Sequence, residues 1–216
     1  MTVTIPARCR PAGTRRTVDR WTAPRCTGLP TEAGPLFIQI IQGTCRDPEG
    51  LRQQIEMWRQ KLGPTAQGWL GGTYGVTDEH TFVAMVRLES KEAAARNSTR
   101  PEQRPWWAQT ERCCEGQVTL HDCDNAMTFL PCGAENAGFV QVIRARLVDP
   151  ERFRRFMQLP MGLLQQTRPE IIGPIIAIEP DGTFTEAIAF RSHDAARSER
   201  KEIPAEMRQE WADAMT

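Results

Sequence analysis

Hydrophobic and polar positions occur along the chain in the same order twice. The first copy begins Phe-Ile-Gln-Ile-Ile-Gln-Gly and the second begins Phe-Val-Gln-Val-Ile-Arg-Ala. Between residues 37–52 and 139–154, seven of sixteen aligned pairs are identical at an offset of 102 (139 − 37). The same offset later aligns Thr81-Phe82 with Thr183-Phe184. The pattern therefore indicates an internal duplication of a whole domain.

Each copy opens with a predicted strand and helix. Residues 37–43 are rich in β-branched side chains and end at a glycine, as strands commonly do. Asp47-Pro48-Glu49 then supplies an N-cap, a proline at the first helical position and an acid in the first turn. Apolar side chains spaced four, three and four residues apart predict one face of an amphipathic helix, formed by Leu51, Ile55, Trp58 and Leu62.

A predicted hairpin, a second helix and a last strand follow. Residues 69–76 and 81–88 predict two strands with a hairpin-length connection, and Ser90 is a helix cap. Residues 118–123 complete the order β-α-β-β-α-β, which is typical of the ferredoxin-like unit with an antiparallel sheet and helices on one face. In the second copy the sequence stops at Thr216, just after the second helix, so we expect its last strand to be missing.

The predicted boundaries divide the chain into three parts. Residues 1–36 form an extension, 37–136 form repeat one and 137–216 form repeat two, which is incomplete at its C-terminal end. Pro160 falls where repeat one has Trp58, in mid-helix, and predicts a kink or a helix end near Leu159.

The extension differs from the rest of the chain in composition. It contains six Arg, five Pro and only two acidic residues, without a periodic apolar pattern. Such a segment buries too little apolar surface to offset its ordering entropy, so we expect disorder, or a start codon placed too far upstream. A basic arm for nucleic acid and an organelle-targeting leader are the alternatives.

Composition and cysteine content exclude several classes of partner. Lys plus Arg equals Asp plus Glu, with 27 of each, so no net field attracts nucleic acid or an anionic membrane. No apolar run approaches the roughly 18 residues that a membrane-spanning helix needs. Seven cysteines without a signal peptide favour a reducing cytoplasm over a disulfide framework. The segment from Cys113-Cys114 to Cys123 lacks the C-x-x-C spacing of structural zinc sites, so we predict no metal.

The chain resembles a known family in the strand followed by Asp-Pro-Glu, the central hairpin, and the strand-to-helix junctions 87–94 and 190–196. These features are similar to the antibiotic-biosynthesis-monooxygenase-like branch of the dimeric α+β barrel superfamily, in the tandem form of some actinobacterial proteins. The resemblance covers about residues 37–216. It implies an α+β fold in which two ferredoxin-like βαββαβ repeats pack sheet to sheet as a pseudo-dimeric barrel within one chain, with further homo-oligomerisation open.

The resemblance does not supply a complete catalytic set. Family members that oxidise polycyclic aromatics, or degrade haem, have a Trp near the end of the third strand, and cofactor-free members add an Asn four residues earlier and a Tyr six residues later. Haem-degrading members also have an Asn in the first strand and a His in the second helix. In this chain Leu88 and Phe190 occupy the Trp position, Ala84 and Glu186 the Asn position of the third strand, and Ala94 and Ala196 the Tyr position. Ile41 and Ile143 occupy the Asn position of the first strand, and Ser98 and Arg200 the His position of the second helix. Haem is disfavoured because no axial His is available, and we predict no cofactor.

Glu186 is the candidate catalytic residue. In a strand it alternates with Phe184, Ile188 and Phe190, so it points to the same sheet face as three large apolar side chains. A carboxyl group there would have a raised pKa and could act as a base toward an acidic phenol or carbon acid. The alternative is a strand near a sheet edge, or an Arg that pairs with the carboxylate.

The candidate ligand-binding residues combine amides and large apolar groups. Two glutamines lie at equivalent positions of the first strands on apolar faces, where a ligand or another part of the protein must satisfy them. Aromatic side chains of repeat one could line a pocket for a flat molecule, or could form ordinary core. The set is Gln39, Gln141, Trp58, Tyr74, Leu88, Trp106 and Phe190.

Two functions are consistent with these patterns. The first is binding of a small apolar or aromatic molecule between sheet and helices, for which the resemblance implies cofactor-independent monooxygenase activity. The alternative is a non-catalytic structural or oligomerisation module whose pockets are filled by side chains. A ligand site needs on the order of 300 Å³ of enclosed space, which distinguishes the two.

Overall fold

The structure is a computed structural model that describes residues 36–77, 79–128, 137–157 and 169–197, with Gln209 and Asp213. The predicted extension and the predicted kink at Pro160 lie outside the described residues, as does most of the chain after Arg197. The chain divides into two compact units, one ending at Ala126 and the other beginning at Met127. Each unit contains a four-stranded antiparallel sheet with helices, so the predicted α+β class is confirmed.

The first unit contains the elements of repeat one in the predicted order. Its strands are β1 (Phe37–Cys45), β2 (Trp69–Val76), β3 (Thr81–Leu88) and β4 (Cys114–Cys123). Its helices are α1 (Pro48–Met57), α2 (Lys91–Ser98) and α3 (Gln103–Arg112). The sheet order is β2-β3-β1-β4, which is the ferredoxin-like arrangement predicted from the sequence.

Local sequence signals explain where these helices begin and how the first one ends. The Asp47 side chain accepts a hydrogen bond from the Gly50 backbone N–H at 2.9 Å, and Ser90 does the same for Ala93 at 3.2 Å. The four predicted apolar positions of the first helix are all buried. The helix does not stay α-helical to its end, however, because a π-helical turn (Trp58–Leu62) and a 3₁₀ turn (Gly63–Thr65) follow α1.

The second unit repeats this arrangement at the predicted offset. Its sheet contains β5 (Asn125–Thr128), whose first two residues precede the boundary, β6 (Phe139–Arg146), β7 (Ile171–Ile178) and β8 (Thr183–Phe190). Its helices include α4 (Pro150–Met157) and α5 (His193–Arg197). Strands β7 and β8 begin and end 102 residues after β2 and β3. The side chains of Asp149 and Ser192 cap α4 and α5.

The two sheets differ at their edges. The second sheet has the order β5-β7-β8-β6, so its fourth strand lies beside β7 and comes from the segment directly after β4. Sequence patterns did not predict β5, because four residues without turn signals are too short to show alternation. Within the described ranges, no strand lies beside β6 in the place that β4 occupies beside β1.

One face of each sheet packs against helices, and we call it the helix face. In the first unit, Phe37 and Leu88 form a buried cluster with Ala93 of α2. In the second unit, Phe184 packs against Phe153 of α4, with ring centroids 5.7 Å apart. Residues two apart on a strand, and residues directly opposite on neighbouring strands, share a face. Among the described helices, none is long and apolar enough to span a membrane.

Candidate functional site

Glu186 lies at the centre of the second sheet. Its strand, β8, is flanked by β6 and β7, and the residues directly opposite are Ile143 and Ile176. Since Phe184, two residues earlier, contacts α4, Glu186 also points to the helix face. The alternative of an edge position does not apply, because the strand has a neighbour on both sides.

The carboxyl group of Glu186 is buried, and the described part of the chain places no counter-charge against it. The residue is 8% exposed, and burial raises its pKa to about 7. Among the described residues, none forms an ion pair or hydrogen bond with it. On β6, Arg144 follows Ile143, and it pairs with Glu179 at 2.6 Å and donates to the Thr185 hydroxyl at 3.1 Å. The pKa is therefore raised by desolvation alone, with no charge acting against it.

Apolar side chains surround Glu186 on the helix face. Ile176 is buried, whereas Ile143 and Ile188 are half-buried. Further along the same face, the Phe139 ring lies 6.2 Å from that of Phe190 and 4.8 Å from the ring of His193 at the start of α5. The contact between Phe139 and His193 was not predicted, because sequence spacing does not reveal which strand a helix start packs against.

The two equivalent glutamines have different environments. Gln39 lies opposite Asp122 of β4 and donates its amide N–H to that carboxylate at 3.0 Å. For Gln39 the partner is thus another part of the protein, the side chain of Asp122. Gln141 lies opposite Ile188 on the helix face, and none of the residues described for the second unit hydrogen-bonds its side chain. Sequence reasoning missed Asp122, since cross-strand register cannot be read from spacing alone.

The tryptophans of repeat one pack against one another. Trp58 lies 4.8 Å from Trp69 and 6.1 Å from Trp106 between ring centroids. The Trp58 indole N–H donates to the Gln103 side chain at 3.0 Å, and that of Trp106 donates to the Gln54 carbonyl at 2.8 Å. Trp58 and Trp106 thus have satisfied polar ends inside a packed aromatic cluster. Their assignment to a ligand site stays a prediction.

Tyr74 lies beside this cluster on the helix face of the first sheet. It is directly opposite Ala84, and its ring covers Gly72, where an added Cβ would lie 2.3 Å from the phenol oxygen. Burial raises the pKa of the Tyr74 hydroxyl to about 12, although the charges of Arg87 and Arg59 act in the opposite direction. The small Ala84 and Gly72 leave the space that the ring occupies.

Leu88 and Phe190 occupy the position where the family has tryptophan, and both are buried. Leu88 is 4% exposed and contacts Phe37 and Ala93, while Phe190 is 1% exposed and contacts Phe139. They therefore close the end of each helix face near the strand-to-helix junction. Their role as ligand-binding residues stays a prediction.

Four cysteines of repeat one are buried free thiols. Cys45 and Cys114 lie directly opposite each other on β1 and β4, next to Cys113. Burial raises the pKa of the Cys114 thiol to about 11. Within the part of the chain that the structure describes, no three His, Cys, Asp or Glu side chains are grouped so that they could hold a metal ion.

The two antiparallel sheets with helices on one face define an α+β fold, and solved structures share it. A candidate monooxygenase from Lactobacillus acidophilus matches 84% of this chain over 90% of its own length, with a TM-score of 0.65 and 12% identity. Another, from Fusobacterium nucleatum, matches 86% of this chain over 89% of its own length, with a TM-score of 0.61 and 13% identity. An anthrone oxidase-like protein matches 85% of this chain over 86% of its own length, with a TM-score of 0.56 and 15% identity.

These matches confirm the predicted resemblance to antibiotic-biosynthesis-monooxygenase-like proteins at the level of fold. Each covers both repeats of this chain, as a tandem arrangement requires. No protein-family model matches the sequence, and no curated protein matches it either. At identities of 12–15% the likeness concerns the backbone, so the chemistry of the site depends on this chain's own residues.

Proposed function

We propose that repeat two binds a small aromatic carbon acid on its helix face and that Glu186 is the base that starts its oxidation by O₂. One observation carries this proposal: Glu186 is a buried carboxyl group at the centre of a sheet, with no partner among the described residues and a pKa near 7. Structural carboxylates in protein cores are normally paired or hydrogen-bonded, because burying a lone charge is costly. A functional role explains why this one is kept.

A pKa near 7 suits a general base. Such a group is half ionised at neutral pH, and it holds a proton strongly enough to remove one from a weak acid. The apolar neighbours Ile143, Ile176 and Ile188 offer a surface for a flat ring system. Proton transfer from the substrate to Glu186 would also be favoured because it neutralises a carboxylate that is buried away from water.

The reaction balances with substrate and O₂ alone. Glu186 takes a proton from a diaryl methylene carbon, and the resulting carbanion, conjugated with a carbonyl group, reduces O₂ and forms a C–O bond to it. Protonation by Glu186 gives a hydroperoxide. Glu186 then removes the second C–H proton while the O–O bond breaks, so the carbon becomes a ketone and hydroxide leaves as water. The substrate supplies all four electrons that reduce O₂.

The substrate class follows from this chemistry and from one fold neighbour. An anthrone has a methylene group between two aryl rings and a conjugated ketone, so it is both flat and acidic. The anthrone oxidase-like protein shares the fold of this chain. That likeness supports anthrone as the first compound to test and does not itself assign the substrate.

Repeat one has a structural role in this proposal. Its helix face holds Tyr74 against Ala84 and the packed tryptophans, whereas repeat two has Ile176 and Glu186 at the positions of Tyr74 and Ala84. The filled-pocket alternative from the sequence therefore fits repeat one, while the binding hypothesis fits repeat two.

The test uses the full chain with anthrone at pH 8. Oxygen consumption and anthraquinone absorbance are followed against a protein-free blank, for the wild type, Glu186→Gln, and the exposed-site control Glu115→Gln. General-base catalysis is worth roughly 10²-fold or more, so Glu186→Gln should lose at least that factor in kcat while Glu115→Gln keeps the wild-type rate. Below pH 7, kcat/KM should fall tenfold per pH unit. Equal rates for the wild type and Glu186→Gln, or no rate above the blank, would overturn the proposal.

A further inference from the structure

The two equivalent glutamines differ in whether a described protein group binds their side-chain amide. In repeat one, the Gln39 amide is held by Asp122 of β4 at 3.0 Å. In repeat two, no described residue hydrogen-bonds the Gln141 side chain, and no described strand lies beside β6 on the side away from β8. Gln141 is half-buried, so its amide has limited access to water. A half-buried amide without a protein partner bonds water or a ligand, so the Gln141 side chain is open to a ligand.

Gln141 and Glu186 lie on adjacent strands and share the helix face. Gln141 is opposite Ile188, and Glu186 is two residues before Ile188 on β8. This diagonal relation places the two Cβ atoms roughly 7 Å apart. The side chains do not bond each other, since burial is the only cause that shifts the pKa of Glu186. The spacing leaves room for a conjugated carbon-to-oxygen unit between the carboxyl and amide groups.

We propose that Gln141 donates a hydrogen bond to the carbonyl oxygen of the substrate while Glu186 faces its acidic carbon, so the site takes aryl ketones and hydroxyarenes whose oxygen is conjugated with that carbon. This inference rests on the function proposed above. It adds an anion-stabilising residue and a requirement that the substrate carry an oxygen, which a hydrocarbon of the same shape would not meet.

The chemistry requires such a donor. When Glu186 removes the proton, the electron pair of the broken C–H bond moves through the conjugated ring, and negative charge accumulates on the ketone oxygen. Glu186 becomes neutral in the same step, so the charge that was on the carboxylate now lies near Gln141. An amide N–H is a donor that stays neutral through the transfer, and such donors stabilise developing oxyanions. Gln141 would therefore act mainly on kcat.

The first experiment measures turnover of anthrone by Gln141→Leu and Gln141→Glu. The leucine removes the donor, and the glutamate replaces it with a group of the same shape that accepts. Loss of one oxyanion donor typically costs roughly 10²-fold in kcat, so we expect that loss for Gln141→Leu, a larger one for Gln141→Glu above pH 7, and little change in KM. Gln42→Leu is the matched control, because Gln42 is a half-buried glutamine of the equivalent first strand on the opposite face. Circular dichroism checks that each variant is folded.

The second experiment needs no turnover. Alizarin, a hydroxyanthraquinone whose colour changes when its phenol ionises, is titrated with protein in the Glu186→Gln background, so that only the amide differs between samples. Donation from Gln141 should lower the pH at which the bound dye ionises, by at least half a unit relative to Glu186→Gln/Gln141→Leu. The Gln42→Leu change in the same background should leave that pH unchanged.

The outcomes separate the two proposals. If anthrone oxidation depends on Glu186 but kcat is unchanged in Gln141→Leu, the role of Gln141 is wrong and the proposed function stands. If dye ionisation depends on Gln141 but anthrone is not oxidised, the oxygen-binding role stands and the proposed reaction fails. Equal dye ionisation with and without Gln141 overturns the inference whatever the activity.

Discussion

The two repeats share three equivalent strands and have different helix faces. At equivalent positions of the central hairpin, repeat one has Tyr74 opposite Ala84, and repeat two has Ile176 opposite Glu186. In repeat one the Tyr74 ring packs over the small Ala84, whereas in repeat two the smaller Ile176 lies beside the carboxyl group of Glu186. The hairpin strands that carry these positions match at an offset of 102, and one pair of side chains distinguishes a packed face from one with an ionisable group.

The first strands of the two repeats also differ, because β6 is more exposed than β1. Five apolar residues of β1 are buried, while every residue of β6 is half-buried or exposed. Strand β4 lies beside β1 and its Asp122 holds Gln39, but no described strand has this position beside β6. The glutamine and the glutamate that are candidates for function therefore occur together in the repeat with the more exposed first strand.

The largest expected effect comes from giving repeat one the carboxyl group of repeat two. Ala84→Glu places a charge at a position that is 1% exposed, directly opposite Tyr74. Overpacking and an unpaired buried carboxyl together should lower the free energy of unfolding by at least about 3 kcal/mol. Urea unfolding of the full chain at pH 8 measures this, with Glu186→Ala as the reverse exchange, which should not destabilise. An Ala84→Glu protein as stable as the wild type would show that the two helix faces are equivalent.

A second prediction concerns the pH dependence of stability. Between pH 4.5 and about 7, folded Glu186 keeps a proton that the unfolded chain has released, so stability falls as pH rises through this window. Glu186→Gln removes this dependence. The variant should gain about 3 kcal/mol relative to the wild type between pH 4.5 and pH 8, and the gain should level off above pH 8. Parallel stability curves for the two proteins would contradict a raised pKa in the fold.

A third prediction tests how tightly Tyr74 fills repeat one. In Gly72→Ala the new methyl group would lie 2.3 Å from the Tyr74 phenol oxygen, so the ring has to move. We expect a loss of about 1–3 kcal/mol in the free energy of unfolding. Gly75→Ala is the control on the same strand, because a Cβ there has nothing within 4 Å. If both variants unfold at the same urea concentration, Tyr74 does not pack as described.

The smallest expected effect is at Gln39. Gln39→Leu removes the hydrogen bond to Asp122, whose carboxylate is exposed and can bind water instead. The free energy of unfolding should fall by less than about 1 kcal/mol. Asp122→Asn keeps an acceptor at the same place and should change stability even less. A loss of several kcal/mol in Gln39→Leu would mean that the glutamine has a larger structural role than this single bond.

Much of the fold could be predicted from the chain. The duplication, the Asp47 and Ser90 caps and the apolar face of the first helix come from local patterns, and local patterns determine strand and helix positions. The π-helical turn at Trp58–Leu62 was not predicted, since it depends on how the indole of Trp58 packs. Strand β5 was not predicted either, because its existence depends on pairing with β7.

The candidate site was predictable in part. Alternation placed Glu186 on a face with large apolar groups, but only the sheet order shows that its strand is central, and only the register shows Ile143 and Ile176 beside it. The partner of Gln39 required the pairing of β1 with β4. Long-range pairings of this kind decide whether a polar group has a hydrogen-bond partner, and they cannot be read from the residue pattern of a single sequence.

The central claim is that Glu186, a carboxyl group without a partner among the described residues, ionises near neutral pH, and its titration can be observed directly. In ¹³C NMR of the full chain labelled at glutamate side-chain carboxyl carbons, the resonance missing from Glu186→Gln identifies the group. The account predicts a midpoint at about pH 7 for that resonance. A midpoint at or below the ordinary value of 4.5 would mean that the carboxylate is solvated or paired, and the proposed base would be lost with it.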